Sequence, residues 1–223
     1  MIRNAFRVSL AGATLLLLFP ACIAHAQQDK PETGLERQLH RLDFGIVAAG
    51  SFTSAVTGTN FSGTTATQTP ITLTEQPSNT VGALATIRYS KSPWVGLEFN
   101  YGYTRYTEAF SAFVTPQTNA NEYSFGYLVH PGTLLGIQTF ASAGSGTLAF
   151  RPTRGGGEGL PEQARQVYYW QAGGESLLFD SNFGLRASFR QELFLAPDFE
   201  ENYLRIKKRA ITTSPTVGFY YHF

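Results

Sequence analysis

The chain has 223 residues, 43% hydrophobic and 14% aromatic but only 15% charged, with 17 Lys and Arg against 16 Asp and Glu. Its eighteen Phe, eleven Tyr and 22 Gly exclude a disordered chain, which is poor in aromatics, and a charge-rich coiled coil, and the near-zero charge removes any global electrostatic reason to expect nucleic acid as a partner. A soluble domain carries about 25% charged residues, so the composition suits a chain whose solvent is not only water.

Residues 1–26 read as a cleaved signal peptide. Arg3 and Arg7 form a basic start, Val8 to Phe19 is an apolar run ending in four leucines, and Ala24-His25-Ala26 is a small-x-small cleavage site. The run is shorter than the roughly 20 residues of a spanning helix. Cys22, the single cysteine, falls inside this segment, so the mature chain is expected to hold no disulfide and no cysteine-based chemistry. Lipidation of Cys22 is the rival, with Phe19-Pro20 departing from the lipobox pattern. Removing 26 of 223 residues leaves 197, and losing two arginines leaves 15 bases against 16 acids, a net charge of −1.

Residues 27–39 form a polar leader with Pro31 and Gly34 and no core of their own. From residue 40 the dominant period is two, the strand period. Eight strands are expected, near 41–52, 80–89, 94–106, 121–130, 134–149, 166–178, 182–194 and 211–223. Each has the roughly ten residues or more that a tilted membrane strand needs. In the third, Val95, Leu97, Phe99, Tyr101 and Tyr103 share one face, and Gly96, Glu98, Asn100, Gly102 and Thr104 the other. Tight turns are expected at Ser90–Pro93, Pro131–Thr133 and Phe179–Ser181, alternating with long polar connections near 53–79, 107–120, 150–165 and 195–210. Short turns at one rim and long connections at the other are the asymmetry of bacterial outer-membrane barrels.

Alternation fixes the period and not which face is outside, so a soluble lipocalin-like barrel is the competing architecture. The polar faces are rich in small residues, which suits a narrow lumen. Tyr101, Tyr103 and Tyr106 gather at one strand end, and Tyr221 and Phe223 at another, as candidate interfacial girdles. Tyr123 to Phe150 lacks Asp, Glu, Lys and Arg, yet His130-Pro131-Gly132 at its middle favours a turn between two strands over a membrane helix.

The inward positions on this reading include Asp43, Arg88, Glu98, Glu175, Arg186, Arg190 and Glu192, three bases facing four acids that should pair. Arg205, Lys207, Lys208 and Arg209 form a basic cluster before the last strand, a candidate contact for lipopolysaccharide phosphates. Gly155-Gly156-Gly157 lacks the context of a phosphate-binding loop. No cofactor or metal is expected.

The C-terminus, Thr216-Val217-Gly218-Phe219-Tyr220-Tyr221-His222-Phe223, resembles the targeting signal of outer-membrane barrels, matched at Thr216, Gly218, Tyr221 and Phe223. The resemblance implies recognition by the barrel assembly machinery. With the export signal and the eight strands, residues 40–223 resemble the OmpA/OmpX type of small barrel, without the peptidoglycan-binding domain that follows the barrel in full OmpA proteins. Pro215 departs from a regular closing strand and is expected at the rim or at a bulge, with the strand beginning near Thr216.

The expectation is therefore an all-β chain: an eight-stranded antiparallel up-and-down transmembrane β-barrel, after a cleaved signal peptide. It is non-enzymatic, lies in the cell outer membrane, and has a structural or surface-interaction role with a plugged lumen. Its partners are outer-membrane lipid, lipopolysaccharide, the assembly machinery and whatever meets its long loops. A narrow channel for very small solutes is the alternative. The family resemblance also raises a lipid A-modifying enzyme, which needs a His beside a Ser and an acid near the outer leaflet. The three remaining histidines, His40, His130 and His222, all fall at the short-turn end of the expected topology.

Overall fold

The computed structural model describes residues 34–62, 69–109, 115–155, 157–178, 182–199 and 207–223. The signal segment with Cys22, the first part of the leader, Gly156 and Arg205 lie outside these. The described leader residues form one short helix, α1 (Gly34–Leu39), with no buried residue. Ten strands follow: β1 (Leu42–Thr53), β2 (Val56–Ser62), β3 (Thr69–Pro77), β4 (Thr80–Ser92), β5 (Val95–Ala109), β6 (Gln117–Leu134), β7 (Ile137–Arg154), β8 (Gln163–Leu177), β9 (Phe183–Leu195) and β10 (Arg209–His222).

Eight of them close into an antiparallel barrel. The order β5-β4-β1-β10-β9-β8-β7-β6 is completed by pairing of β5 with β6. Cross-strand partners can be followed once around the wall. His222 leads to Asp43, Arg88, Glu98, Gly126, Gly144, Tyr169 and Glu192, and the path re-enters β10 at Thr212. It returns ten residues from where it began on that strand. That offset is the barrel's shear, the stagger that goes with tilted strands.

Period-two sequence becomes two faces of one wall. Along β5 exposure and burial alternate almost without a break. Val95, Leu97, Phe99 and Tyr101 point outward, with Phe99 43% exposed, while Glu98 and Asn100 are fully enclosed. The apolar face continues around the wall, Phe44, Ile87, Phe99 and Phe125 standing in register on four adjacent strands. So many large apolar side chains facing out, over a charged interior, is the inverse of a soluble lipocalin-like barrel and the pattern of a lipid-facing wall.

The strands run further than the alternation signal. β6 and β7 have 18 residues each, well beyond the ~10 of a membrane strand, and they continue past the apolar belt at the end of the long connections. The expected connection 53–79 contains the hairpin β2–β3, which pairs within itself and touches β5 at Gln76–Ala109 and Pro77–Glu108. The alternation there is confined to Ile71-Thr72-Leu73-Thr74 in a segment rich in Ser, Thr and Asn.

Three local expectations need correction. The turn expected at Pro131–Thr133 lies at Leu135 and Gly136, whose φ of 52° and 82° fit a two-residue hairpin turn with both central residues left-handed. Pro131 and Gly132 instead sit where the β6–β7 register shifts. Pro215 remains within β10, opposite Phe189 of β9. The ladder to β1 lapses between the Ala49–Thr216 and Phe52–Thr213 pairs without changing register, as a residue without an N–H requires. Strand β10 therefore begins at Arg209 rather than near Thr216. Finally, Tyr106 is buried in the barrel, not in the girdle; it has the parity of Glu98 and Asn100, one residue off that of Tyr101 and Tyr103. The outward tyrosines do cluster, Tyr101 stacking 5.1 Å from Tyr123, and Tyr221 meets Phe183 and Phe223 at the other rim.

Candidate functional site

The lumen is filled in layers, and its chemistry is concentrated at the short-turn half. Arg88 of β4 stands directly opposite Glu98 of β5, donating from Nε to Oε2 at 2.6 Å. Glu175 of β8 is the cross-strand neighbour of Arg186 of β9 and accepts its Nε at 2.7 Å. Arg88 reaches across the lumen to the same Glu175 oxygen at 3.1 Å, so one arginine ties opposite walls together. His130 lies 3.4 Å from the other Glu175 oxygen. Phe140 supplies a ring 4.1 Å beneath the Arg88 guanidinium, and Tyr220 one 4.6 Å from that of Arg186.

Glu98 is the hub. Its two oxygens accept from Arg88, Asn100, Ser142, Tyr169 and Gln171 at 2.6–3.2 Å. Five donors satisfy a carboxylate that is wholly out of water, the condition under which a buried charge is tolerated. Two glycines make the arrangement possible. A Cβ on Gly126 would stand 2.3 Å from the Tyr169 hydroxyl, and one on Gly184 would stand 2.3 Å from the Tyr220 ring. Small residues on the inner face thus make room for the Tyr169 and Tyr220 rings.

A second polar layer lies above. Arg190 donates to Glu122 and, at 2.9 Å, to Glu192, and its guanidinium lies 3.9 Å over the Tyr169 ring. Over that layer the lining turns apolar: Tyr106, Leu148, Phe150, Val167 and Phe194 form a buried cluster, with Phe150 and Phe194 rings 5.4 Å apart. A small cavity separates the two layers, floored by Arg190 and Glu192 and walled by Leu84, Leu148 and Phe150.

All seven charged residues read as inward from the sequence lie inside. Arg88, Glu98, Glu175 and Arg186 form one network and Arg190 with Glu192 a second. Asp43 stands apart from both, 2.5 Å from His222 at the rim. Sequence reasoning missed Glu122, the acid that Arg190 holds. The signal was present, since Glu122 has the parity of Ser124 and Gly126, but it stood at the very start of the expected strand. Asn100, Tyr169 and Gln171 were likewise unassigned as hub donors.

The remaining candidates are dispersed. Lys207, Lys208 and Arg209 are exposed at the long-connection end, and Arg209 opens β10 opposite Leu195. Thr216 is buried, bonded to Ser188 at 2.6 Å. Gly218 packs on Val47, Tyr221 joins the rim aromatics, and the Phe223 carbonyl is bonded to His40 at 2.8 Å. His40, His130 and His222 all lie at the short-turn rim. Among the described residues no group of three or more His, Cys, Asp or Glu could hold a metal.

No family model matches the chain, and no curated protein matches it. Solved structures do. The outer membrane protein OprG from Pseudomonas aeruginosa superimposes with a TM-score of 0.56 at 11% identity, over 82% of this chain and 95% of that one. AlkL in lipid bilayers gives 0.49 at 14% identity, over 94% and 97%. Neisserial surface protein A gives 0.48 at 12%, over 81% and 97%. At such identities the likeness to OprG is one of fold: this is the closed eight-stranded barrel of small outer-membrane proteins.

Proposed function

We propose that the protein is a non-enzymatic outer-membrane barrel, closed to solutes, that acts through its surface. The observation carrying this reading is Glu98, whose five donors come from strands on opposite sides of the lumen. A solute path would have to displace a fully hydrogen-bonded charge, and eight strands leave an interior only wide enough for side chains. The apolar belt provides the lipid-facing wall. The long β5–β8 extensions and the hairpin β2–β3 provide the surface, on the extracellular side if the short turns are periplasmic.

Within this reading the C-terminal residues Thr216, Gly218, Tyr221 and Phe223 serve barrel assembly, and the exposed Lys207, Lys208 and Arg209 with Arg205 contact lipopolysaccharide phosphates. Neutralising the four bases should weaken lipopolysaccharide binding; unchanged binding removes that contact.

A narrow channel is the second reading. It is favoured by the cavity above Arg190 and by the unpartnered Nη1 of Arg190 and Nη1 and Nη2 of Arg186, which leave donors for water. Conductance in planar bilayers separates the two. The closed barrel gives no steady current in the wild type; stable unitary currents at low voltage would establish the channel.

A further inference from the structure

The hairpin β2–β3 meets the barrel rim through two acids that the lumen network does not use. Pro77 stands opposite Glu108 where β3 joins β5, which brings the Glu75 and Glu108 carboxyls into contact. Both are enclosed, Glu75 at 1% and Glu108 at 0% exposure. Glu108 accepts from Thr118 at 3.1 Å and from Tyr106 at 3.5 Å. The second oxygen of Glu75, Oε2, is buried with no partner. Arg165, whose field reaches Glu75, is held by Asp198 at 3.1 Å and Gln163 at 2.9 Å.

Two carboxylates in contact out of water repel strongly unless a positive charge lies between them. An acceptor left unbonded in such a place costs free energy as well. We propose that Glu75 and Glu108 form a divalent-cation site of the calcium class that clamps the external hairpin to the barrel rim. The donors gathered here are oxygens throughout: two carboxylates with the Thr118 and Tyr106 hydroxyls alongside. Hard cations take such sets, and two bidentate carboxylates with two hydroxyls supply six oxygens, the low end of calcium's six to eight. The bare Glu75 oxygen is where the ion gains a ligand that no protein donor claims. A single proton shared by the two acids is the rival occupant.

Terbium stands in for calcium, and its emission is sensitised by a nearby tyrosine, here Tyr106. Terbium chloride is titrated into the full barrel, free of lipopolysaccharide, in zwitterionic vesicles. The expected result is saturable tyrosine-sensitised emission that calcium displaces. It is lost in Glu75→Gln and Glu108→Gln and kept in Glu162→Gln, an exposed acid elsewhere on the rim. Should a carboxamide variant fail to fold, as judged by the gel mobility of unheated protein, Tyr106→Phe replaces it. That variant removes the sensitiser and leaves both acids, so the emission must fall. No saturable emission from the wild type, or emission that survives in the folded Gln or Phe variants, overturns the site and leaves a proton between the acids.

Discussion

Arg88 and Glu98 face each other on neighbouring strands, and the same guanidinium spans the lumen to Glu175. The pair is therefore both a cross-strand contact and a crossbar between walls. Removing one partner strands the other in a dry interior. Glu98→Ala is expected to lower the unfolding free energy by about 3–5 kcal/mol, measured by urea titration of the barrel in vesicles through fluorescence of Trp94 and Trp170. Glu98→Gln keeps part of the hydrogen bonding and should cost less. Equal losses would mean that the charge contributes nothing.

Tyr169 links the two polar layers, bonding Glu98 at 3.2 Å and lying under Arg190. Tyr169→Ala combined with Glu98→Ala should unplug the lumen. Small steady currents are expected in planar bilayers from the double variant and not from the wild type. A silent double variant would show that the outer apolar cluster alone keeps the barrel shut.

Gly184 carries no side chain because the Tyr220 ring occupies that space. Gly184→Ala should destabilise by about 1–3 kcal/mol through overpacking. In the Tyr220→Ala background the same change should cost far less, so a double-mutant cycle reads the steric coupling directly. A full cost in both backgrounds would point to the backbone instead.

The apolar wall should have a depth profile. Phe99 lies midway along the outward row of β5, between Val95 and Tyr103. Phe99→Arg is expected to cost about 2–4 kcal/mol in bilayers and Tyr103→Arg, at the girdle, about 0–1 kcal/mol. Equal costs would contradict a bilayer centred on Phe99.

Glu75 gives a pH dependence in protein freed of divalent ions. Burial, with Glu108 beside it, holds its carboxyl far above the ordinary carboxylate range. A carboxyl whose pKa is raised on folding stabilises fully below its unfolded value of about 4.3. That contribution is lost as pH rises from the unfolded value through the folded one, since in that window the folded state holds a proton that the unfolded state has released. The melting temperature of chelated wild type should fall relative to Glu75→Gln as pH increases. Parallel curves would deny the shift.

Much of this was legible because membrane barrels write their two environments on alternate residues. Phe99 and Glu98 are adjacent in sequence and face opposite solvents, so parity alone placed the belt and seven interior charges. Parity also held the answer for Tyr106 and Glu122, one misplaced by its proximity to other tyrosines, the other by a strand start set too late. Beyond the belt the rule fails. Thr57 and Thr74 bond to each other across the hairpin at 3.2 Å, but the only alternation there, Ile71-Thr72-Leu73-Thr74, is too short a run to mark the hairpin. The contact of Glu75 with Glu108 depends on how that hairpin docks, a relation between elements 33 positions apart that no local pattern records.

The ten-residue stagger has a consequence for how the barrel closes. Because partners climb the wall, Asp43 meets His222 only when β1 and β10 join in their final register. A slip of one residue would turn the inward face of the joining strand, Asp43 or His222 included, toward lipid. A mispaired seam would part Asp43 from His222 and set Arg88 of β4 off the level of Glu175 of β8, while the matched seam gains both contacts together, so sheet closure and lumen ordering should proceed as a single cooperative event.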